Sequence, residues 1–383
     1  MSVCKVLILD GYARQCLPFL RAFNELNCET TQLCGSKIDC GYVSRLPKHK
    51  VLGICDPDNL RGTEKCIEDL IKTRNYDLIF PLTDYSSAIL SRRKAEWSEY
   101  ARIAVNDWKV YQQIQDKLSV MKVCMENGIP CPKTVFDIFS IEDVLNANLQ
   151  FPIVVKPRNG CGAKGFHRLK TKKQFVDCVK ENNVDLSSMV VQESIPIDSL
   201  VISDNIFVDA NGEVKSSYLY GSHRFFPLAG GTGTFNISFD RKDVHEQCSR
   251  LVKIMGIRGC VGIDMIIDSR DNIAKIIEVN PRVLACAKLG FMCGVNQAEQ
   301  TLQLEYGQEV TPYMEYKTDI RLRMSQTDIL WFLKSPDRFK TKPSFFSINN
   351  TKDQMFTWDD PLPWFAFLFR GVKNYKKEIE KRS

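Results

Sequence analysis

The strongest local signal in the sequence lies at residues 151–166, which read FPIVVKPRNGCGAKGF. Three of its glycines satisfy the pattern GxGxxG: Gly160, Gly162 and Gly165. A dinucleotide site would open a helix at once, but the next residues favour a second strand, Phe166–Leu169. Glycines between two antiparallel strands let backbone N–H groups approach phosphate oxygens, because no side chain is in the way. The stretch predicts a phosphate-binding flap, with Lys156 at the end of its first strand; a plain turn is the alternative.

Two other glycine-loop sites lack their signatures here. The HRD and DFG motifs of protein kinases are absent from the sequence, and no Gly-Lys dipeptide is present to form GxxxxGK[ST]. Helix Lys172–Glu181 and strand Met189–Glu193 are expected to follow the flap. The order is therefore strand, glycine turn, strand, helix, strand.

The first hundred residues alternate short apolar runs with amphipathic segments, which predicts a parallel sheet covered by helices. The predicted elements are the strands Lys5–Leu9 and Leu78–Pro81 and the helices Ala13–Leu26 and Cys66–Thr73. The turn at residues 10–14 lacks GxGxxG, which disfavours a nicotinamide or flavin role for this Rossmann-like region. A helix is expected over Asp107–Asn127, with a domain boundary near residue 110.

Two hairpins are predicted further along the chain. They pair Val201–Val208 with Glu213–Gly221 and Val261–Ile267 with Ile273–Val279. Period-2 alternation puts Glu278 and Asn280 on one face of the last strand, and a turn near residue 270 puts Asp264 opposite them. Three converging oxygen ligands suit Mg²⁺ or Mn²⁺; the alternative is an ordinary exposed hairpin. Arg282, just past the strand, could clamp a carboxylate or phosphoryl group.

These features, taken in order, resemble the ATP-grasp superfamily of carboxylate–amine ligases, especially the branch similar to the ATP-binding part of carbamoyl phosphate synthetase. The resemblance covers roughly residues 1–310. Asp116-Lys117, followed by residues 128–132 (GIPCP), resembles the entry segment whose lysine contacts ATP phosphate. Residues 151–165 resemble the lysine strand and phosphate flap, which implies ATP contacts for Lys156 and the three glycines and a catalytic role for Lys156.

The resemblance also implies the other site residues. Residues 190–196, VVQESIP, resemble the hinge beside adenine, and Asp198 is the best match to the ribose-binding acid. The ATP contacts implied there are Gln192, Glu193, Ile195 and Asp198. Residues 264 and 278–282 match the D…ExNPR ending, which implies metal ligation by Asp264, Glu278 and Asn280 and catalysis by Arg282. His223-Arg224 with residues 230–233 resembles a loop over the acyl phosphate; for Arg224 a purely structural role stays open.

The resemblance implies a mixed α/β and α+β fold. A Rossmann-like domain at residues 1–110 would precede an ATP-grasp fold at residues 111–310, two α+β subdomains clasping ATP with the flap subdomain at about 130–195. Residues 311–383 would form an extension with aromatic clusters and a basic tail helix. The implied reaction activates a small-molecule carboxylate as an acyl phosphate, which an amine displaces. A homodimer is a further expectation, since dimers are common in similar enzymes.

Composition narrows the protein class. The 383 residues carry a net charge of +6, and the basic residues are too widely distributed along the sequence to predict a nucleic-acid partner. The longest apolar run is too short to span a membrane. Fifteen scattered cysteines without a CxxC indicate reduced thiols and a cytoplasmic protein.

Two other functions remain open. One is an enzyme like carbamoyl phosphate synthetase or a carboxylase, with bicarbonate as the acid. The other is a nucleotide-binding protein without turnover.

Overall fold

The computed structural model describes residues 3–160, 165–228 and 231–380, with side chains described up to residue 371. Its N-terminal unit is a five-stranded parallel sheet in the order β3-β2-β1-β4-β5. The strands are β1 Lys5–Ile8, β2 Glu29–Cys34, β3 His49–Leu52, β4 Leu78–Phe80 and β5 Arg102–Ile103, and the helices between them are α1 Cys16–Glu25, α2 Cys40–Val43, α3 Leu60–Thr73 and α4 Asp84–Trp97.

Helices cover both faces of this sheet, as the continuous apolar strands predict. In β1, Val6 and Ile8 pack in the cluster that contains α1, whereas Leu7 packs in the cluster that contains α3 and α4. The strand order reverses between β1 and β4, so a crevice forms at their carboxyl ends, where Asp10 and Asp84 lie.

The helix predicted over residues 107–127 is two helices, α5 Trp108–Gln115 and α6 Lys117–Glu126. Asp116 between them is extended (φ −80°, ψ 103°), and its carboxylate caps α6 by accepting the Leu118 N–H at 3.1 Å. The break places Lys117 on the first residue of α6.

The flap subdomain is a four-stranded antiparallel sheet in the order β6-β9-β7-β8. Its apolar core, which includes Val155, Phe175 and Val191, lies on one face. The opposite face carries Lys156 and Gln192, because each follows a core-facing valine by one residue along its strand. The elements are β6 Thr134–Val135, α7 Ile141–Asn146, β7 Ile153–Pro157, β8 His167–Leu169, α8 Lys172–Glu181, a 3₁₀ turn Leu186–Ser188 and β9 Met189–Glu193.

The largest sheet has seven strands in the order β14-β13-β10-β11-β12-β15-β16. Both predicted hairpins are present, as β10/β11 and β13/β14. The strands are β10 Leu200–Val208, β11 Val214–Phe226, β12 Thr232–Phe239, β13 Gly259–Ile267, β14 Ala274–Asn280, β15 Arg321–Arg323 and β16 Thr351–Asp353, and the helices are α9 Lys242–Ile254, α10 Ala287–Cys293, α11 Gln297–Glu305, α12 Ser325–Lys334 and α13 Leu362–Glu380.

The C-terminal segment contributes two strands to this sheet. β15 pairs with β12, and β16 adds to β15, so two strands lie beyond the expected boundary at residue 310. Helix α13 then crosses to the N-terminal unit, where Arg370 donates to Asp39 at 2.6 Å. No helix in the described part of the chain is long and apolar enough to span a membrane.

Candidate active site

Lys117 connects three elements at the cleft between the flap sheet and the large sheet. Its side chain is buried, and its Nζ donates to the Gly160 carbonyl at 2.6 Å. The same Nζ lies 3.1 Å from Oε1 of Glu278 on β14. The ammonium therefore joins the start of α6, the glycine turn and the predicted metal-binding strand.

Lys156 lies in the same cleft, on the free face of the flap sheet. Its Nζ donates to the Ile277 carbonyl of β14 at 3.2 Å. Burial lowers the pKa of Lys156 to about 8; the Glu278 carboxylate opposes the shift, and Lys117 adds to it. Two ammonium groups thus converge beside one carboxylate, an arrangement that suits the phosphates of a nucleotide.

The three predicted oxygen ligands are adjacent on β13 and β14. Asp264 pairs directly with Glu278, as the turn position predicts, and Asn280 Nδ2 donates to Asp264 Oδ2 at 2.9 Å. Ser203 on β10 holds the other Asp264 oxygen, with its Oγ donating at 2.6 Å. Burial, followed by repulsion from Glu278, raises the pKa of Asp264 to about 6.

This donor set fits a divalent cation. Among the described residues no cluster of three or more His, Cys, Asp and Glu side chains forms a cation site, so a cage made only of protein ligands is absent there. Two carboxylates and an amide oxygen are instead the small set with which Mg²⁺ binds beside phosphate groups and water. A cation here would also relieve the repulsion between Asp264 and Glu278.

Arg282 is held by the N-terminal unit. Its Nε and Nη2 donate to the two carboxylate oxygens of Asp84 at 2.9 and 2.8 Å. Its Nη2 also lies 3.3 Å from Asn280 Oδ1. The guanidinium that was expected to clamp a substrate therefore already makes a two-point ion pair at the crevice of the parallel sheet.

The hinge residues have partners of their own. The Glu193 carboxylate accepts the Lys133 N–H at 3.1 Å and an Arg270 N–H at 3.0 Å, and Arg168 donates to the Ile195 carbonyl at 2.9 Å. Gln192 is buried against Met121 and Thr134. The exposed Asp198 accepts from Ser269 Oγ at 3.1 Å.

Two of the three flap glycines lie within the described residues. Gly160 and Gly165 have φ values of +118° and +66°, a region that favours glycine. A Cβ on Gly165 would lie 3.0 Å from the Pro157 side chain. The predicted contact at Gly162 lies outside the described residues.

Comparison with known families agrees with this geometry. Residues 114–286, which contain both lysines and all three oxygen ligands, match the model of the ATP-grasp domain. This region is an ATP-grasp domain.

The chain is similar to the D-aspartate ligase of Enterococcus faecium, with 26% identity over 231 residues. The match covers 55% of this chain and 54% of that ligase, so the chain spans about half the length of the curated relative.

Two solved structures share the fold. The biotin carboxylase domain of Hydrogenobacter thermophilus 2-oxoglutarate carboxylase, solved as a dimer with MgADP, ADP and bicarbonate, has a TM-score of 0.69 at 15% identity over 84% of this chain and 74% of that one. N5-carboxyaminoimidazole synthetase of Staphylococcus aureus has a TM-score of 0.65 at 16% identity over 84% and 82%. The expected fold class is confirmed.

Arg224, for which both a catalytic and a structural role were open, lies between β11 and α12. Its guanidinium is fully buried between β11 and α12, donates to both oxygens of Asp328 at 2.7 and 2.9 Å, and donates to the Pro343 carbonyl at 3.2 Å. The guanidinium carbon also lies 3.9 Å from the centre of the Phe235 ring. These contacts favour the structural alternative, and the catalytic role of Arg224 stays a prediction.

Sequence reasoning did not identify three residues that position the ATP-grasp site. Asp84 holds Arg282, Ser203 holds Asp264, and Arg158 holds Asp116 through two hydrogen bonds of 3.0 and 2.5 Å. A strand position opposite Asp264 could have identified Ser203 once the β10/β13 pairing was known. For the two ion pairs the sequence carries no spacing signal.

Proposed function

We propose that the protein is an ATP- and magnesium-dependent ligase that activates a carboxylate as an acyl phosphate and couples it to an amine. One observation carries the proposal: Lys117, Lys156 and the Asp264–Glu278–Asn280 set meet at one cleft within the ATP-grasp domain. Phosphoryl transfer requires alignment and charge neutralisation more than covalent catalysis, and this group supplies both.

Each part of the cleft has a distinct task. Lys117 and Lys156 would bind the β- and γ-phosphates, with the flap N–H groups at Gly160, Gly162 and Gly165 closing over them. Asp264, Glu278 and Asn280 would hold Mg²⁺, or Mn²⁺, which neutralises phosphate charge when bound. Closure of the flap would exclude water, which protects an acyl phosphate from hydrolysis.

The adenosine end of ATP would lie at the hinge between the two sheets. Residues 192–198 form this connection, with Gln192 on the cleft face of β9 and Glu193 at its end. The Glu193 carboxylate accepts three hydrogen bonds, from Lys133, Arg270 and Lys275, and would accept the adenine amine through its remaining lone pair. The Ile195 backbone and Asp198 would contact the ring edge and ribose.

Arg282 would bind the reacting carboxylate or phosphoryl group from the crevice side. Asp84 fixes its orientation through two hydrogen bonds, and one donor still reaches Asn280 beside the metal ligands. The guanidinium would therefore not have to reorient during the reaction. Donors that are already oriented stabilise a transition state most effectively.

The substrates are proposed from the relatives' names. The D-aspartate ligase suggests an amino acid as the carboxylate substrate. The structure solved with bicarbonate suggests bicarbonate as the second candidate. A homodimer, as in that carboxylase domain, is also proposed and is testable by sedimentation velocity.

The first test is ADP release with Mg²⁺ and ATP across D- and L-amino acids, hydroxy acids and bicarbonate, each with and without an amine. Stimulation by one amino acid and amine supports the ligase, and bicarbonate stimulation alone supports the carboxylase alternative. ATP binding by calorimetry without ADP release from any pair would contradict both and favour a nucleotide-binding protein.

Lys156 gives ATP affinity a specific pH dependence. Its pKa of about 8 means that the ammonium loses its proton as the pH rises through 8, so the attraction for ATP falls there. The Kd for ATP should be flat below about pH 7.5 and rise by up to tenfold per pH unit above about 8. Calorimetry between about pH 7 and 9.5 measures this rise.

The control is Lys156→Arg, whose guanidinium stays charged over the whole range and should flatten the profile. Identical pH profiles in both proteins would mean that another group controls ATP affinity.

A further inference from the structure

Exposed apolar side chains are concentrated in one part of the chain. Of the 24 exposed large hydrophobic side chains in the described residues, ten lie between residues 329 and 369, about a tenth of the sequence. Trp358 is 91% exposed and Phe339 74% exposed. Isolated exposed hydrophobic residues are ordinary, but a contiguous group marks a binding surface.

These exposed side chains lie on α12, on the segment that follows it and on α13. Ser325, Ile329 and Leu333 follow one face of α12 at four-residue spacing, and the Ser325 hydroxyl accepts the Trp364 indole N–H at 2.8 Å. Phe365 packs edge-on against Trp364 with ring centres 5.0 Å apart. This hydrogen bond joins the start of α12 to α13.

Aromatic rings extend the surface beyond α12. Phe332 lies 4.3 Å from Phe345, 5.4 Å from Phe339 and 5.5 Å from Phe346, measured between ring centres. We call the exposed apolar side chains of residues 329–348 and 358–369 the aromatic surface.

Helix α13 has one face that packs on the protein and another apolar face that is exposed. Trp364 and Phe367 pack inward against the core of the N-terminal unit. Leu362, Phe365 and Phe369, at spacings of three and four residues, are exposed. The outer face has no partner within the described residues.

Exposed basic side chains lie within the first segment of the aromatic surface. Residues 334–342 contain four exposed basic side chains and one acidic one, Asp337. The four are Lys334, Arg338, Lys340 and Lys342. In sequence, residues 373–382 add five basic and two acidic residues.

We propose that the aromatic surface docks on the headgroup region of a lipid bilayer that carries anionic lipid. Aromatic rings next to lysine and arginine suit that region, because the rings enter the boundary of the acyl chains while the cations meet the lipid charge. The core of a protein interface is instead depleted in lysine, which makes a second copy of the chain the poorer occupant.

The test is cosedimentation of the full chain with vesicles of phosphatidylcholine, with or without about one quarter phosphatidylglycerol. We expect binding to the anionic vesicles and its loss between about 0.1 M and 0.5 M NaCl. Phe339→Ser should lower the partition coefficient about tenfold, since one buried ring is lost from the lipid. Lys340→Ser with Lys342→Ser should lower it about 25-fold.

The chain offers matched controls. Phe139 is 79% exposed on the flap subdomain, and Lys172 and Lys173 are exposed on α8. Phe139→Ser, and Lys172→Ser with Lys173→Ser, should leave partition unchanged. All these positions lie outside the proposed catalytic residues, so the docking proposal can fail or hold whatever the ligase assay shows.

Three results would overturn the proposal. The first is absence of binding to anionic vesicles by the wild-type protein. The second is an equal loss in the Phe139 and Phe339 variants. The third is a wild-type dimer in sedimentation velocity that Phe339→Ser converts to monomer without any vesicle binding, which would assign the surface to a second copy.

Discussion

Glu278→Gln is expected to lower magnesium-dependent ADP formation by about 10³-fold, the upper range for losing one transition-state contact. Glu278 pairs with Lys117 at 3.1 Å and faces Asp264 across the hairpin, so its charge serves both the phosphate-binding and the metal-binding side of the cleft. Glutamine keeps the shape and removes the charge. The substitution should therefore leave the thermal unfolding midpoint close to that of the wild type, while the initial rate of ADP formation falls.

The matched control for Glu278→Gln is Glu213→Gln. Glu213 precedes β11 of the same sheet, and its carboxylate makes an exposed ion pair with Lys253 at 3.3 Å. That variant should keep wild-type ADP formation and Mg²⁺ dependence. Wild-type turnover in Glu278→Gln would show that Glu278 is not an active-site residue. Equal loss of turnover in both variants would mean that removing a carboxylate anywhere on this sheet lowers activity.

Asp328→Asn is expected to lower the free energy of unfolding by about 3–5 kcal/mol, the usual cost of removing one partner of a buried ion pair. Asp328 is fully buried and accepts from Arg224 at 2.7 and 2.9 Å and from Thr234 Oγ1 at 2.8 Å. Arg323 Nε lies 3.3 Å from the same carboxylate. The substitution would leave a buried guanidinium without its counter-charge, and urea unfolding followed by tryptophan fluorescence would detect the change through Trp331.

An exposed ion pair provides the comparison. Asp243 and Arg241 make a two-point contact at 3.0 and 2.5 Å, but the Asp243 side chain is 63% exposed. Asp243→Asn should change the free energy of unfolding by at most about 1 kcal/mol. Equal, small effects in both variants would contradict a structural role for the Arg224 pair. Loss of ADP formation in a fully stable Asp328→Asn would return Arg224 to the catalytic candidates.

Local patterns predicted the elements that lie within one stretch of chain. Lys172–Glu181 and Met189–Glu193 end where the sequence indicates, because helix periodicity, the Thr171 cap and an apolar run all act over neighbouring residues. The pairing of Asp264 with Glu278 followed from counting residues on either side of one turn. Such features depend on short separations, where few alternative arrangements exist.

Features that depend on distant partners were not predicted. The helix break at Asp116 is accompanied by an ion pair to Arg158, 42 residues away, and Arg282 meets Asp84 over 198 residues. Arg224 resembled a catalytic arginine in its local motif, but Asp328, 104 residues later, decides its environment. A local motif identifies the side chain but does not identify the distant residue with which that side chain pairs.

The return of α13 to the N-terminal unit has a consequence for synthesis on the ribosome. The last strand of the parallel sheet, β5, ends at Ile103, yet Asp360 accepts from Ser44 Oγ and the Arg45 N–H, and Arg370 donates to Asp39. At about 5–20 residues per second, roughly 10–50 s separate translation of these segments. During that interval the growing polypeptide exposes the surface around α2, and a chaperone that shields apolar nascent segments would have its longest opportunity there.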